Sequence, residues 1–423
     1  MAKDQSGFFK QKKEWSVIKD RLLGGYLPQY FQKVLFTHRP IYYVDCFAGK
    51  GKFDDGQVGS PMIAMDSICT SIARSKLDPQ ELNGAIHPYF IELNHAKDLE
   101  ENLKATYKSP RLYQVIDGKF EEKICGILSD RKGDNVFLYI DPYGIKALDS
   151  HLFAKIQGFE FRSFEMLINF NSFGFFRDAC QVLKVDYKHD AALRDLDDLV
   201  EYEPTVVDSS QKSEWLLSDI AGGDYWKDIV KDYQQGTIDG YKAEMRLSTL
   251  YKEHMKTRHT YVLDMPIRLK KEQRPKYRMI HVSDHPDACF LMAQNMLSRK
   301  DELFLNVQAA GQMNIFDLMS DMDSTVEGDL ITEKDVEERL RRYIQDCDTD
   351  NTRYTKFIAG FYTRFGLICK LDMIQSILIR MEKEGKIEIL RDPPFTASGK
   401  KKSEFWEDKD SAGKKVTIRR LQA

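Results

Sequence analysis

The sequence predicts an α/β protein: a Rossmann-like, doubly wound sheet with a helical insertion, followed by a smaller winged-helix-like domain. Three observations support this fold class. Short apolar runs alternate with helical stretches along most of the chain, as in βαβ units. A different pattern, helices and then a β-hairpin, follows an acidic segment that reads as a linker. Finally, 423 residues are too many for one ordinary core and suit two domains.

The first domain is predicted to span residues 1–302. Residues 14–36 have a helical apolar spacing that breaks near Pro28, which predicts a pair of leading helices. A polar, acidic stretch at about 186–240 predicts an insertion that carries helices. Seven strands are predicted, the last two as a closing hairpin: Ile41–Phe47, His87–Glu92, Arg111–Ile116, Val136–Asp141, Phe164–Phe170, His259–Leu269 and Tyr277–Val282.

Residues 303–330 lose their periodicity and are predicted to be a linker to a second domain at 331–423. Three helices followed by a hairpin with a long lysine-rich wing, Lys400–Lys415, favour a winged helix. The predicted elements are the helices Thr332–Asp346, Thr355–Phe365 and Leu371–Glu384, and the strands Ile387–Arg391 and Val416–Leu421.

Composition excludes several classes of protein. The formal net charge of −3 excludes a strongly basic protein, so any nucleic-acid contact needs a local basic patch. Seven scattered cysteines without CxxC spacing argue against a disulfide framework or a zinc ribbon. The histidines form no metal-binding pair, so no metal site is expected. Without a long apolar run, we expect a cytoplasmic protein with no membrane span.

The strongest chemical signal is an apolar strand that ends in an acidic residue and a Gly-x-Gly turn, Tyr43-Val44-Asp45-Cys46-Phe47-Ala48-Gly49-Lys50-Gly51. Such glycines let the backbone approach a ligand at the carboxyl edge of a parallel sheet. The spacing fits neither the GxGxxG dinucleotide fingerprint nor a P-loop. The segment resembles motif I of class I methyltransferases. This resemblance implies that Asp45, Phe47, Gly49 and Gly51 bind S-adenosylmethionine.

Two more carboxylates close the next two strands, Glu92 after Tyr89-Phe90-Ile91 and Asp117 after Tyr113–Ile116. In a methyltransferase of this class, Glu92 is placed to accept hydrogen bonds from the ribose hydroxyls, because a carboxylate offers paired acceptors. Asp117 falls where such folds contact the adenine amine. The alternative is that both are solvated caps of the following helices.

The fourth strand ends in Asp141-Pro142-Tyr143-Gly144, which resembles the Asp-Pro-Pro-Tyr motif of amino-methyltransferases that act on nucleic-acid bases. The lone pair of an exocyclic amine is delocalised into its ring, so an enzyme must hold the amine hydrogens and orient the nitrogen. The resemblance implies that Asp141 and the Pro142 carbonyl accept those hydrogens, that Asp141 also borders the cofactor, and that Tyr143 stacks on the base.

The same loop also resembles that of tRNA guanine N2-methyltransferases, so adenine N6 and guanine N2 both remain open. The structural alternative is a rigid Pro-Gly turn with a packed tyrosine.

Taken together with Gly59-Ser60-Pro61, the two loops resemble the three-Cys-motif partner family, TcmP. The resemblance covers roughly residues 10–300 and implies a class I methyltransferase fold and, as a partner, a separate radical-type protein with a three-cysteine motif. Two features depart from the family pattern. Lys50 stands where the family often has proline, and Asp54–Pro61 lengthens the interval between Asp45 and Glu92.

Residues 352–423 contain 16 Lys or Arg against 9 Asp or Glu, a net charge of +7. Basic residues in the wing would neutralise DNA or RNA phosphates without reading sequence. The alternative is a solvated lysine loop. The predicted contacts are Lys400, Lys401, Lys402, Lys414 and Lys415, with Arg419 and Arg420 beside them.

The sequence thus favours methyl transfer from S-adenosylmethionine to an exocyclic amine of a nucleic-acid base. Two other functions stay open. One is a non-catalytic subunit that binds the cofactor or DNA within a larger modification or defence system. The other is methylation of a small molecule or a protein.

Overall fold

We describe the fold from a computed structural model of the chain. The structure describes residues 10, 12, 14–78, 82, 84–108, 112–190, 193, 211–267, 277–310, 331–346, 352–395, 406–408 and 413–421, with only the backbone of 14, 15 and 300–310. Parts of the predicted insertion, linker and wing, including Lys400–Lys402, lie outside these residues. The chain divides into two compact units, one comprising 1–262 and 266–284 and the other 263–265 and 285–423.

The first unit is built on a mostly parallel seven-stranded sheet. Its central strands are largely apolar and buried because both faces of the sheet are covered there, whereas the edge strand β3 is exposed or half-buried. The strands are β1 (Ile41–Asp45), β2 (Ile86–Glu92), β3 (Gln114–Asp117), β4 (Asn135–Ile140), β5 (Ser163–Phe170), β6 (Tyr261–Ile267) and β7 (Tyr277–Ser283).

The strand order, β3-β2-β1-β4-β5-β7-β6, makes this a Rossmann-like sheet. Strands β1 to β5 pair in parallel, whereas β7 lies antiparallel to β5. The chain order reverses between β1 and β4, and open α/β sheets bind ligands in the crevice outside the carboxyl ends of strands at such a point. The predicted α/β fold of this unit is therefore confirmed.

Helices follow the strands along the chain. Helix α2 begins directly after Gly59, with a proline in its first turn, where the missing N–H costs nothing. Helix α5 is capped by Asp149, which accepts a hydrogen bond from the Leu152 N–H at 2.8 Å. The helices up to β5 are α1 (Glu14–Leu35), α2 (Ser60–Arg74), α3 (Ala96–Thr106), α4 (Phe120–Leu128) and α5 (Ser150–Gln157).

Between β5 and β6 the chain forms α6 (Ser172–Val182), α7 (Gln211–Ala221), α8 (Tyr225–Gln234) and α9 (Gly240–Lys256), which we call the helical insertion. Trp226 of α8 is fully buried, and its indole N–H donates to the Ser218 hydroxyl at 3.0 Å.

The second unit holds α10 (Pro286–Ala310), α11 (Glu333–Asp346), α12 (Tyr354–Phe365), α13 (Leu371–Lys383) and the strands β8 (Thr352–Arg353), β9 (Ile387–Asp392) and β10 (Lys415–Arg420). The strands form an antiparallel sheet in the order β8-β10-β9. Helices and strands thus stand close to their predicted positions. A winged helix remains a prediction for this unit.

Two features differ from the sequence prediction. The predicted pair of leading helices is one helix, α1, with Pro28 inside it. The Ser71 hydroxyl of α2 donates to the Pro28 carbonyl at 3.3 Å, so tertiary packing supports the helix where the local pattern predicts a break.

Helix α10 runs through residue 302, the predicted end of the first domain, and the helical backbone continues to Ala310. Within the described residues, no helix is both long and apolar enough to cross a membrane.

Candidate active site

The Gly-x-Gly turn closes tightly behind β1. Gly49 and Gly51 have φ angles of +61° and +74°, which only glycine adopts without strain. A Cβ atom at Gly51 would also lie 2.8 Å from Cδ1 of the buried Leu99. The Gly59 N–H donates to the Gly51 carbonyl at 2.8 Å, so the loop returns to its own start just before α2. Other residues would be strained by the backbone conformation at both positions, and at Gly51 also by the approach of Leu99.

Glu92 fastens this turn to the end of β2. Its Oε2 accepts a hydrogen bond from the Gly49 N–H at 2.8 Å, and its Oε1 accepts from the N–H groups of Asn94 and His95 at 2.9 and 3.1 Å. A carboxylate has about four acceptor positions. Three are used by the backbone, and Glu92 still borders the larger cavity described below.

Asp45 lies beneath the turn and is fully buried. Its Oδ1 accepts a hydrogen bond from the Phe47 N–H at 3.3 Å, while Oδ2 has no hydrogen-bond partner among the described residues. Burial raises the pKa of Asp45 to about 7, against the opposing effect of a hydrogen bond from Ser60. Asp45 is not among the described residues that line a cavity.

A cavity of about 580 Å³ lies at the carboxyl ends of β1, β2 and β4. Phe47, Glu92, Pro142 and Tyr143 are four of its lining residues. Beyond β3 it is lined by the segment Gly118–Glu122. Asp117, which the sequence places against the adenine amine, is exposed and is not among the described lining residues.

A second, smaller cavity of about 90 Å³ adjoins the reaction loop. Both cavities share Phe47, Pro142 and Tyr143 in their walls. The smaller cavity adds groups from other elements, including Lys19 and Asp20 of α1, Asp141, Asn169 of β5 and Tyr277 of β7. The structure therefore brings together the two loops that the sequence singles out.

The Asp141 carboxylate is held by three protein groups. Lys19 Nζ lies 2.9 Å from its Oδ1 and 2.7 Å from its Oδ2. The Asn169 side-chain amide donates to Oδ1 at 2.7 Å, and the Tyr139 hydroxyl donates to Oδ2 at 3.3 Å. The side chain is still 21% exposed where it borders the smaller cavity.

Asp20 adds a further carboxyl beside Asp141 and forms an ion pair with Lys12. Burial raises the pKa of Asp20 to about 6, although Lys12 and Lys19 oppose the shift. The strand-end pattern does not identify Lys19 or Asp20, because both lie on α1, far away in sequence. The sequence offers only a weak signal for them: a run of three charged residues, Lys19 to Arg21, between the apolar positions Ile18 and Leu22.

Elsewhere in the first unit, Asp149, His151 and Asp219 place potential metal-ligand atoms within 4.8 Å of one another. Local hydrogen bonds account for this grouping, since Asp149 caps α5 and His151 contacts Asp219 directly. The Ser150 hydroxyl also donates to Asp219 at 3.2 Å. We therefore assign no metal to it.

In the second unit, part of the predicted basic wing is already neutralised. Lys414 pairs with Glu407 at 2.5 Å, and Arg419 pairs with Glu388. Lys415 is exposed at the start of β10. The remaining predicted wing contacts, Lys400–Lys402, lie outside the described residues.

The fold and the site define a Rossmann-like α/β protein. A cavity large enough for a ligand lies where the strand order of its sheet reverses, between β1 and β4. No family model matches the chain. No curated protein matches it either. Among solved structures, it is similar to a Staphylococcus aureus protein provisionally described as a caffeoyl-CoA O-methyltransferase, at 12% identity, a TM-score of 0.28, and coverage of 60% of this chain and 81% of that one. This likeness is too weak to support a functional argument.

Proposed function

We propose that this protein is an S-adenosylmethionine-dependent methyltransferase that acts on an exocyclic amine of a nucleic-acid base, adenine N6 or guanine N2. One observation carries the proposal: a larger and a smaller cavity meet at Phe47, Pro142 and Tyr143, between the Gly-x-Gly turn and the Asp-Pro-Tyr-Gly loop. A donor in one cavity and an acceptor in the other would approach each other at this boundary.

The residues present suit S-adenosylmethionine. A cavity of about 580 Å³ is in the usual range for a cofactor site. Its walls include the Glu92 carboxylate, which would hold the ribose, and Phe47, which would pack against the ligand. The glycine turn leaves backbone free to approach it. The buried Asp45 carboxylate beneath the turn would supply a charge for the ammonium of the methionine portion once the ligand and turn adjust to each other.

When bound, the cofactor would supply an electrophilic methyl group on a sulfonium. The amine nitrogen would bond to that methyl carbon in line as the carbon–sulfur bond breaks and the neutral thioether leaves, and the proton lost by the nitrogen would pass to the Asp141 carboxylate or to solvent water. Asp141 would accept the amine hydrogens, and the Pro142 carbonyl would accept a second hydrogen bond. Tyr143 would stack on the base. Catalysis would then come chiefly from orientation, because holding two reactants in line removes much of the entropic barrier.

Resemblance alone supports two further parts of the proposal, membership of the TcmP family and a three-Cys-motif partner protein. DNA or RNA as substrate is supported by resemblance and by the basic charge of residues 352–423. A cytoplasmic location is proposed from the lack of a long apolar run in the sequence. A second candidate function is a non-catalytic subunit that binds the cofactor or DNA. The contacts of Asp141 favour that candidate, because Lys19, Asn169 and Tyr139 make four contacts with its two oxygens, as many as a carboxylate's acceptor positions, about four.

Calorimetry with S-adenosylmethionine tests the cofactor site. We expect binding by the wild type and a loss of about tenfold or more for Asp45→Asn, since an amide cannot supply the charge. Asp130→Asn, an exposed aspartate after α4, is the control and should bind like wild type. No binding by the wild type would overturn the enzyme proposal.

Transfer of a radiolabelled methyl group tests the reaction. Wild type, Asp141→Asn and Asp130→Asn are incubated with labelled cofactor and with DNA or RNA. We expect label in one polymer, released as a methylated amino base on hydrolysis, and a large loss only in Asp141→Asn. Cofactor binding without transfer to any acceptor would favour the non-catalytic subunit.

A further inference from the structure

Helix α1 delivers a lysine into the candidate site. Lys19 is only 8% exposed, and its Nζ lies within 2.9 Å of both oxygens of Asp141, which is 122 residues away in the chain. The ammonium also lies 5.6 Å from the centre of the Tyr277 ring. Fixing a lysine side chain costs up to about 2 kcal/mol of rotamer entropy, and burying its charge costs more. Stability alone is therefore a poor reason for this arrangement.

The surroundings of Asp141 are rich in negative charge. Asp20 of α1 and Asp45 of β1 both experience repulsion from Asp141, and Glu92 adds to the repulsion on Asp45. Two neutral groups of the described residues also donate hydrogen bonds to Asp141, the Tyr139 hydroxyl of β4 and the Asn169 amide of β5. Lys12 neutralises Asp20. Lys19 is the cation that contacts Asp141 directly.

We propose that Lys19 is a positioning residue for the proposed reaction: its ammonium keeps the Asp141 carboxylate ionised and oriented toward the smaller cavity. The inference rests on the proposed function of Asp141 as the acceptor of amine hydrogens. A protonated carboxyl has one O–H donor and less acceptor capacity than a carboxylate, so ionised Asp141 is the better acceptor for an amine hydrogen. Asp141 lies among other carboxyls, and a cation in contact with it favours its charged form over its neutral one.

The decisive experiment follows the Asp141 carboxyl directly. Wild type and Lys19→Met are prepared with ¹³C in the aspartate carboxyl groups, and the Asp141 resonance is assigned by its loss in Asp141→Asn. We expect the titration midpoint of Asp141 to rise by about one pH unit or more in Lys19→Met, since a cation in contact lowers the pKa of a carboxyl by about one to three pH units. Lys19→Arg, which keeps the charge, should change the midpoint less.

Lys33→Met is the matched control, because Lys33 is an exposed lysine of the same helix. It should leave the Asp141 midpoint unchanged. Lys19→Gln replaces the methionine variant if that variant does not fold. The proposal would be overturned if the titration midpoint of Asp141 in Lys19→Met, or in Lys19→Gln, stayed at the wild-type value. Lys19 would then be a packing residue only.

The titration uses neither cofactor nor nucleic acid. A wild-type protein that transfers no methyl group would overturn the proposed function and leave the Lys19 measurement valid. If transfer is observed, the kcat of Lys19→Met should be low when the assay pH is below the raised titration midpoint of Asp141. It should fall about tenfold for each pH unit between the assay pH and that midpoint. The rate should recover as the pH is raised. KM should change little, and Lys19→Arg should retain most of the rate.

Discussion

At the scale of single residues, Asp45 predicts a pH-dependent stability. Its folded-state pKa is raised to about 7, above the unfolded value, so the folded protein retains a proton that the unfolded chain releases. This contribution is complete below about pH 4 and is lost as the pH rises through about 7. Relative to Asp45→Asn, the wild type should lose roughly 1 kcal/mol of unfolding free energy per pH unit in this window.

Urea unfolding of both proteins at a series of pH values measures this difference. Asp130→Asn, at an exposed position, should show no such trend. The prediction would be contradicted if the difference in unfolding free energy between wild type and Asp45→Asn were the same at every pH. Asp45 would then be ionised to the same extent in the folded and the unfolded protein.

Gly51 allows a second test at this scale, with Gly56 of the same loop as its control. Both have positive φ, so either alanine substitution costs about 1 kcal/mol in backbone strain. A Cβ at Gly56 meets nothing within 4 Å, whereas one at Gly51 lies 2.8 Å from Leu99. We expect Gly51→Ala to be clearly less stable than Gly56→Ala and to bind S-adenosylmethionine more weakly. Equal unfolding free energies and affinities would show that the loop adapts to the added methyl group.

At the scale of elements, a buried ion pair connects the helical insertion to the smaller cavity. Arg278 Nε lies 2.7 Å from Oε1 of Glu244 in α9, and the Ser172 hydroxyl donates to the same oxygen. Burial raises the pKa of Glu244, but Arg278 outweighs it and holds the pKa below its ordinary value. Ser172 and Arg278 adjoin Asn171 and Tyr277, which line the cavity.

Removing one partner of such a pair leaves an uncompensated buried charge. Glu244→Gln should therefore cost roughly 3–5 kcal/mol of unfolding free energy in urea titrations. Glu253→Gln is the control on the same helix, because Glu253 is 57% exposed and pairs with Lys256 at the surface. It should change stability by less than about 1 kcal/mol. A similar small cost for Glu244→Gln would mean that the pair does not secure the insertion.

The elements also show what the sequence could predict. Strands β1, β2, β4 and β5 lie within about two residues of their predicted bounds, because buried parallel strands read as apolar runs. Their carboxyl ends gave the positions of Asp45, Glu92 and Asp141. Contacts between distant elements, such as Lys19 with Asp141, leave no local pattern in the sequence. The single helix α1 was missed for a similar reason, since its proline is supported by packing against α2.

At the scale of the whole molecule, the sequence predicted two domains, and the chain divides into two compact units. Their boundary could not be predicted closely, because α10 carries its helical pattern across the expected end of the first domain. The chemistry proposed for the first unit is assigned to particular residues at the carboxyl ends of its strands. The proposed nucleic-acid contact of the second unit rests on charge alone, and it needs a test that measures charge.

Salt dependence provides that test. If Lys400, Lys401 and Lys402 contact phosphates, their joint replacement by glutamine should reduce the slope of log Kd against log salt by up to about 2.7 on duplex DNA, roughly 0.9 per contact. Lys414→Gln should have a smaller effect per residue, because Lys414 already pairs with Glu407. Affinity is measured by fluorescence anisotropy on the full chain over a range of salt concentrations.

The matched control is the joint replacement of Lys212, Lys231 and Lys242, three exposed lysines of the helical insertion. It removes the same charge from the other unit and should leave the slope unchanged. An unchanged slope in the wing variant would remove the wing from the nucleic-acid contact. An equal reduction in both variants would mean that net charge, rather than a located patch, governs binding. Only a reduction confined to the wing variant supports a phosphate contact there, because counterion release depends on which cations replace salt at the phosphates.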